Sequence, residues 1–220
     1  MGKGLNEIPR GAEHVMSVNY GYNYIADLPD FIFFLNGYRS VHKIELYQNK
    51  IANVSQKAFK ELKQLKTLDL SGNNISTLDT GTFKWNLKLQ KLDLSNNRIS
   101  FHRVKPFLTS ASLETLILTD NRIEQIFEAT FVKLPNLRIL MMDNNIIFSI
   151  EQSSFASMHL HYLSLANTGV YRLGEDMFMN DSYPRVIDLT DTPLANKFDP
   201  PLRKVKKEGV INLLALDRYF

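Results

Sequence analysis

Apolar and polar positions alternate in a block that recurs along the chain. LKTLDLSGNNI from Leu65, LQKLDLSNNRI from Leu89, LETLILTDNRI from Leu113 and LRILMMDNNII from Leu137 start 24 residues apart, and each reads LxxLxLxxNxI. Looser copies flank them, VMSVNYGYNYI from Val15, VHKIELYQNKI from Val41, LHYLSLANTGV from Leu160 and PRVIDLTDTPL from Pro184, making eight in all. Within a copy the fourth and sixth positions are apolar while the third, fifth, seventh and eighth are mostly polar. That period of two predicts a short strand with one buried face. A single copy cannot bury Leu65, Leu68, Leu70, Ile75 and Leu78, so each turn needs its neighbours and the strands must stack side by side.

With these blocks the chain, from about Gly4 to Leu194, resembles the leucine-rich repeat family, and within it the 24-residue class with a phenylalanine later in each repeat. The resemblance implies an α/β solenoid, a horseshoe with a parallel β-sheet on its concave face and a mostly irregular convex side. It divides the chain into an N-terminal cap remnant over 1–14, eight repeats over 15–194 and a C-terminal cap with a helix over 195–220. In that cap, apolar Val205, Val210, Ile211, Leu213, Leu214 and Phe220 would cover the last repeat, with Lys204, Lys206 and Lys207 outside.

Two columns of residues follow from the period. Asn23, Asn49, Asn73, Asn97, Asn121 and Asn145 recur where the chain leaves each strand, and an inward amide there can satisfy backbone groups of adjacent turns. Such a ladder is structural and not a ligand row. It fails at Thr168 and Thr192, whose hydroxyls supply one donor each, and packing is expected to loosen there. Phe59, Phe83, Phe107, Phe131, Phe155 and Phe178 form the second column. They are expected to stack as a spine along the outer wall, with Phe33 or Phe34 extending it.

Composition narrows the function. The 220 residues carry Lys+Arg 26 against Asp+Glu 23, a net charge of +3, which makes no electrostatic case for nucleic acid. No run approaches the roughly 18 apolar residues of a membrane span. Cys is 0, which excludes disulfides, thiolate metal sites and cysteine nucleophiles. The start, MGKGLNEIPRG, lacks the apolar core of a signal peptide. GLNEIPRG looks like the tail of the cysteine-bearing cap of extracellular relatives, and Met1 stands about where that cap would have been entered, as expected of a truncated product. The cysteine cluster that often follows the last repeat in those relatives is absent too.

Sequons stand at Asn53, Asn74 and Asn180, all at positions the repeat predicts to face outward, in a number close to what composition alone produces. The phenylalanine-containing class is commonest in secreted and cell-surface proteins, so the resemblance implies an extracellular or cell-surface glycoprotein of the adhesion, receptor-ectodomain or innate-recognition kind. The missing cysteine caps favour the alternative, an intracellular scaffold or regulatory adaptor.

Catalytic signatures are absent: there is no phosphate-binding glycine loop, GxSxG elbow or HExxH. His159 and His161 are close, but nothing nearby supplies a third metal ligand of clear spacing. The chain therefore reads as a non-enzyme with no cofactor and no metal, whose partner is a protein. The third and fifth positions of each strand point from the concave face. They are charged early, at Lys43, Glu45, Asp69, Lys91 and Asp93, and apolar later, at Ile117, Ile139, Met141, Tyr162 and Val186. These five should form one patch edged by Arg138, Asp143, His161 and Arg185, a candidate interface. Self-association is a further expectation, because ends of a repeat array expose strand edges.

Overall fold

The computed structural model describes residues 2–178 and 183–208. Each repeat contributes a three-residue strand at its third to fifth positions: β1 Ser17–Asn19, β2 Lys43–Glu45, β3 Thr67–Asp69, β4 Lys91–Asp93, β5 Thr115–Ile117, β6 Ile139–Met141, β7 Tyr162–Ser164 and β8 Val186–Asp188. They pair in parallel in chain order, so that equivalent positions of successive copies lie in rows. The fourth position of each strand, Ile44 and Leu68 through Leu163 and Ile187, is buried in one continuous core with the leucines at the first and sixth positions. The fold is the parallel solenoid that the period requires.

The asparagine column lies inside this core, where each amide bonds to two turns. Asn97 is representative. Its Nδ2 donates to Leu70 O of the preceding turn and Leu94 O of its own, both at 3.0 Å, and its Oδ1 accepts from Ile75 N at 3.0 Å. Asn49, Asn73, Asn121 and Asn145 repeat the pattern. At the first copy Asn23 Oδ1 instead accepts from Lys3 N and Leu5 N, which lays the segment before β1 along the first turn. Ile8 of that segment is buried. A hydroxyl has one proton, and those of Thr168 and Thr192 go to Leu165 O and Leu189 O within their own turns.

The residue just before each ladder position has a left-handed backbone. Tyr22, Gln48, Gly72, Asn96, Asp120, Asn144, Asn167 and Asp191 have φ between 51° and 64°. Five of the eight are Asn or Asp and one is Gly, the residues that adopt this conformation most readily. This turn swings the chain out of the strand and aims the following amide inward.

The phenylalanine spine is present but broken. Phe33, Phe59 and Phe83 stack with ring centroids 5.6 Å apart, and Phe131, Phe155 and Phe178 stack at 6.1 and 5.5 Å. Phe33, from the short helix α1 Ile32–Leu35, is the extending residue, whereas Phe34 lies beneath the Arg39 guanidinium. Between the two stacks Phe101 packs edge-on against Phe131 at 5.5 Å and tilted against Phe107 at 5.1 Å. Phe101 occupies the position of polar Asn53, Thr77, Gln125 and Ser149 in other copies. Meanwhile Asn86 and Ser110, both buried, fill the position taken elsewhere by Leu62, Leu134 and Met158. An aromatic ring added one turn away thus displaces the regular stack. Short parallel pairs line the convex side on either side of the break, Asp27–Leu28 with Asn53–Val54 and Gln125–Ile126 with Ser149–Ile150.

After Leu194 the C-terminal segment forms a single 3-10 turn, Ala195–Lys197, and then β9, Lys204–Lys206, which joins β8 antiparallel. The backbone is helical at Lys207 and Glu208, and the rest of the expected helix lies outside the described residues. Val205 is half-buried opposite Ile187 and Lys204 and Lys206 are exposed, so the strand supplies backbone partners to β8 while its lysines discourage further pairing. Val210, Ile211, Leu213, Leu214 and Phe220, assigned above to the helix, lie outside the described residues.

Replacing Asn97 by Leu would leave Ile75 N buried without its partner, at roughly 1–3 kcal/mol, while Leu70 O and Leu94 O would each lose one of two amide donors and keep the bond from Asn73 or Asn121. Urea unfolding of Asn97→Leu is expected to show a loss of about 1–3 kcal/mol. Its exposed neighbour Asn74, changed to Ala, should lose no more than about 0.5 kcal/mol.

Candidate functional site

Registration of the strands decides what stands beside what on the concave face. Ile139, Tyr162 and Val186 are consecutive in the row of third positions, and Ile117 and Met141 are consecutive in the row of fifth positions. The structure therefore brings all five apolar residues of the sequence-derived patch onto the adjacent strands β5 to β8. Each is half-buried, because the neighbouring side chains of a three-residue strand shield one another. The rows end in polar residues: the fifth-position row runs on from Met141 to Ser164 and Asp188, and β9 sets Lys206 opposite Val186 and Lys204 opposite Asp188.

Upstream the face is polar and internally paired. Lys43 Nζ lies 2.8 Å from Glu45 Oε1, and that pairing raises the lysine above its ordinary value. Asp69 Oδ1 accepts from the backbone and hydroxyl of Ser71, and Asp93 Oδ1 from those of Ser95, at 2.6 to 3.0 Å. These aspartates are half-buried turn residues, and this explains why the acid and hydroxyl recur two residues apart.

Downstream a polar network closes the apolar patch. Tyr162 OH donates to Asp188 Oδ2 at 3.0 Å, Lys204 Nζ lies 3.5 Å from the same oxygen, and Thr190 donates to Asp188 Oδ1 through its hydroxyl at 2.6 Å and its backbone at 3.1 Å. Lys204 Nζ also sits 5.7 Å from the centre of the Tyr162 ring. Burial by itself would raise the Asp188 carboxyl. The bonds from Thr190 and Tyr162 and the Lys204 charge outweigh it and hold the group below its ordinary value. Tyr162 is raised, chiefly by burial, and Lys204 is raised by Tyr162 and Asp188. The Tyr162 ring is thereby fixed over the face. Asp143 is held similarly, accepting from Ser164 Oγ and, at 3.3 Å, from Thr119 Oγ1.

Arg138, His161 and Arg185 occupy the position before β6, β7 and β8 and line one edge of the patch. Arg138 Nη1 donates to His159 O at 3.1 Å. His161 is exposed, and loss of hydration together with the charges of Arg185 and Arg138 holds it below the usual imidazole value. His159 is exposed as well.

Sequence reasoning missed Asp188, Thr190 and Lys204, although Asp-x-Ser/Thr after the strand core, shared with Asp69 and Asp93, signals the first two. It also missed Ile146, Phe148 and Tyr171, which are 60%, 47% and 48% exposed. Phe148 and Tyr171 line one shallow depression with Gln152 and Arg172. Ile146 stands where earlier copies have Asn74, Arg98 and Arg122, a break in pattern legible in the alignment of repeats. Of the sequons, Asn53 and Asn74 are exposed, Asn53 Nδ2 donates to Asp27 Oδ1 at 2.7 Å, and Asn180 lies outside the described residues.

Because Asp188 is held below its ordinary value in the fold, its contribution is complete at neutral pH. It is lost as pH falls through the ordinary carboxylate value toward the lower folded one. Asp188→Asn is therefore expected to lower stability at pH 7 and to narrow its gap from the parent as pH drops below about 4. Parallel urea titrations at pH 7, 4 and 3 would check this.

A family model described as leucine rich repeat matches residues 39–99 and 111–170. No curated protein matches the chain.

Proposed function

The chain belongs to the leucine-rich repeat family, and from that premise we propose that it is a non-catalytic recognition module that binds a protein ligand on the C-terminal half of its concave face. Members of the family are typically protein-interaction modules. The observation that carries the reading is the register that gathers Ile117, Ile139, Met141, Tyr162 and Val186 on four adjacent strands, while the equivalent positions upstream are polar or charged. Framework positions are dictated by packing, so these rows are where a sequence of this architecture is free to encode a partner. An apolar centre with an ordered tyrosine, a methionine and flanking arginines has the make-up of an interface core.

No helix among the described residues is long and apolar enough to cross a membrane. We assign the module to a secreted or cell-surface protein, on the family resemblance and on sequons exposed at Asn53 and Asn74. An intracellular adaptor is the second reading, favoured by the complete absence of cysteine.

Once a protein partner is identified, Met141→Ser combined with Tyr162→Ser is expected to weaken binding at least about tenfold in calorimetric titration. Unchanged affinity in a correctly folded double variant would remove the concave patch from the reading. Intact mass of the protein recovered from its native cells and medium, before and after enzymatic deglycosylation, separates the two settings. A mass loss, with the glycan mapped to Asn53, Asn74 or Asn180, is expected. An unmodified chain confined to the cytosol would establish the adaptor instead.

A further inference from the structure

We propose that the partner engages this face through an extended acidic segment in which carboxylates alternate with apolar side chains. The inference rests on the concave-face reading and adds the chemistry of the occupant. From Arg138 onward the edge of the patch is cationic, with Glu114 as its acidic neighbour upstream. Arg138 and Arg185 stand beside β6 and β8, and β9 extends the same side with Lys206 and Lys207, whose backbone N–H donates to Arg185 O at 3.1 Å. Among the described residues none of these four side chains forms an ion pair.

Glu114 stands next to Arg138 in the edge row, at the position before β5, and the two carboxylates on the face itself are already engaged. Asp143 accepts from Ser164 and Thr119, and Asp188 from Tyr162 and Thr190 with Lys204 alongside. Asp143 and Asp188 lie across the apolar rows from the edge, so with Arg138, Arg185, Lys206 and Lys207 against Glu114 the edge presents a net positive field to whatever approaches it.

Geometry then selects the form of the occupant. The cationic row and the apolar rows run side by side along the solenoid axis. From the Arg138 turn to Lys207 is three strand spacings, about 14 Å, the span of four to five extended residues at about 3.3 Å each. An extended chain laid between the rows sends alternate side chains to opposite sides. Carboxylates on one side meet the cations, and apolar groups on the other rest on Ile139, Met141 and Tyr162.

The test uses the full chain and a fluorescent acetyl-Glu-Leu-Glu-Leu-Glu-Leu-amide probe. Comparators are its Lys-for-Glu and Ser-for-Leu counterparts and a heparin oligosaccharide. Variants are Arg138→Glu with Arg185→Glu, Met141→Ser with Tyr162→Ser, and, at the far end, Lys43→Glu with Lys91→Glu, each retaining the parent's circular dichroism and unfolding midpoint. The expected result is binding of the Glu/Leu probe that weakens with added salt. It should fall at least about tenfold in the first two double variants and for either peptide counterpart, and hold in the third variant.

Equal binding of the Glu/Leu and Lys/Leu probes, both abolished by Met141→Ser with Tyr162→Ser, would overturn the acidic segment while leaving the concave face as the binding surface. Glu/Leu binding insensitive to both site variants, or absent at millimolar concentration, would overturn the inference as well. In those cases the concave-face reading stands or falls on the same methionine and tyrosine variant tested against a protein partner. Heparin bound tightly, lost with the arginine variant and indifferent to the apolar one, would assign the edge to a polyanionic sugar and end the peptide proposal.

Discussion

A buried asparagine amide that bonds to two turns at once is the interaction on which the rest of this structure depends. Strands three residues long leave carbonyls and an N–H pointing into a narrow core wherever the chain turns out of the sheet. Unpartnered, each would cost about 1–3 kcal/mol. An amide has two donor protons and an acceptor oxygen on one short side chain, and Asn97, set between Leu70 O, Leu94 O and Ile75 N, uses both kinds. The left-handed residue before it directs the amide inward. Because the bonds connect equivalent points of successive turns, they also lock the register, and a locked register turns isolated side chains into rows.

Rows make the surface additive, and this solenoid changes character along its length. In β2 to β4 four of the five concave charges are spent within the protein, on the Lys43 to Glu45 pair and on the turns that Asp69 and Asp93 help to form. In β5 to β8 five of the eight equivalent positions are apolar, and the network of Tyr162, Asp188, Thr190 and Lys204 fixes the one large aromatic among them. The ladder changes from Asn to Thr at 168 and 192, in the last two turns, where the between-turn bond of the amide is replaced by a bond within each turn. The end that carries the candidate site thus lacks the two-turn amide, and its turns are tied by side chains on the concave face instead, Thr119 and Ser164 to Asp143 and Tyr162 to Asp188.

The convex wall is governed by bulk instead of hydrogen bonding. Its aromatic column stacks from Phe33 to Phe83 and from Phe131 to Phe178, and it breaks between them, where Phe101 packs against Phe107 and Phe131. The break faces away from the concave rows, whose pairing continues through β4, β5 and β6 without interruption. Sheet register and wall packing are therefore separable, and irregularity in one leaves the binding face of the other intact.

The period of 24 was sufficient to place all eight parallel strands, the inward asparagines, most of the spine and the five apolar residues of the patch. Each of these repeats against an equivalent neighbour, so its surroundings are written in the pattern itself. The Asp-x-Ser/Thr turns and the Ile146 position were legible in the same alignment of repeats. The tertiary structure alone decided that Lys204–Lys206 is an antiparallel strand, that Lys204 and Tyr162 converge on Asp188, and that Phe101 interrupts the spine. Those contacts join segments with no periodic counterpart. Their partners are chosen by which backbone edge or cavity is left open once the repeats have stacked.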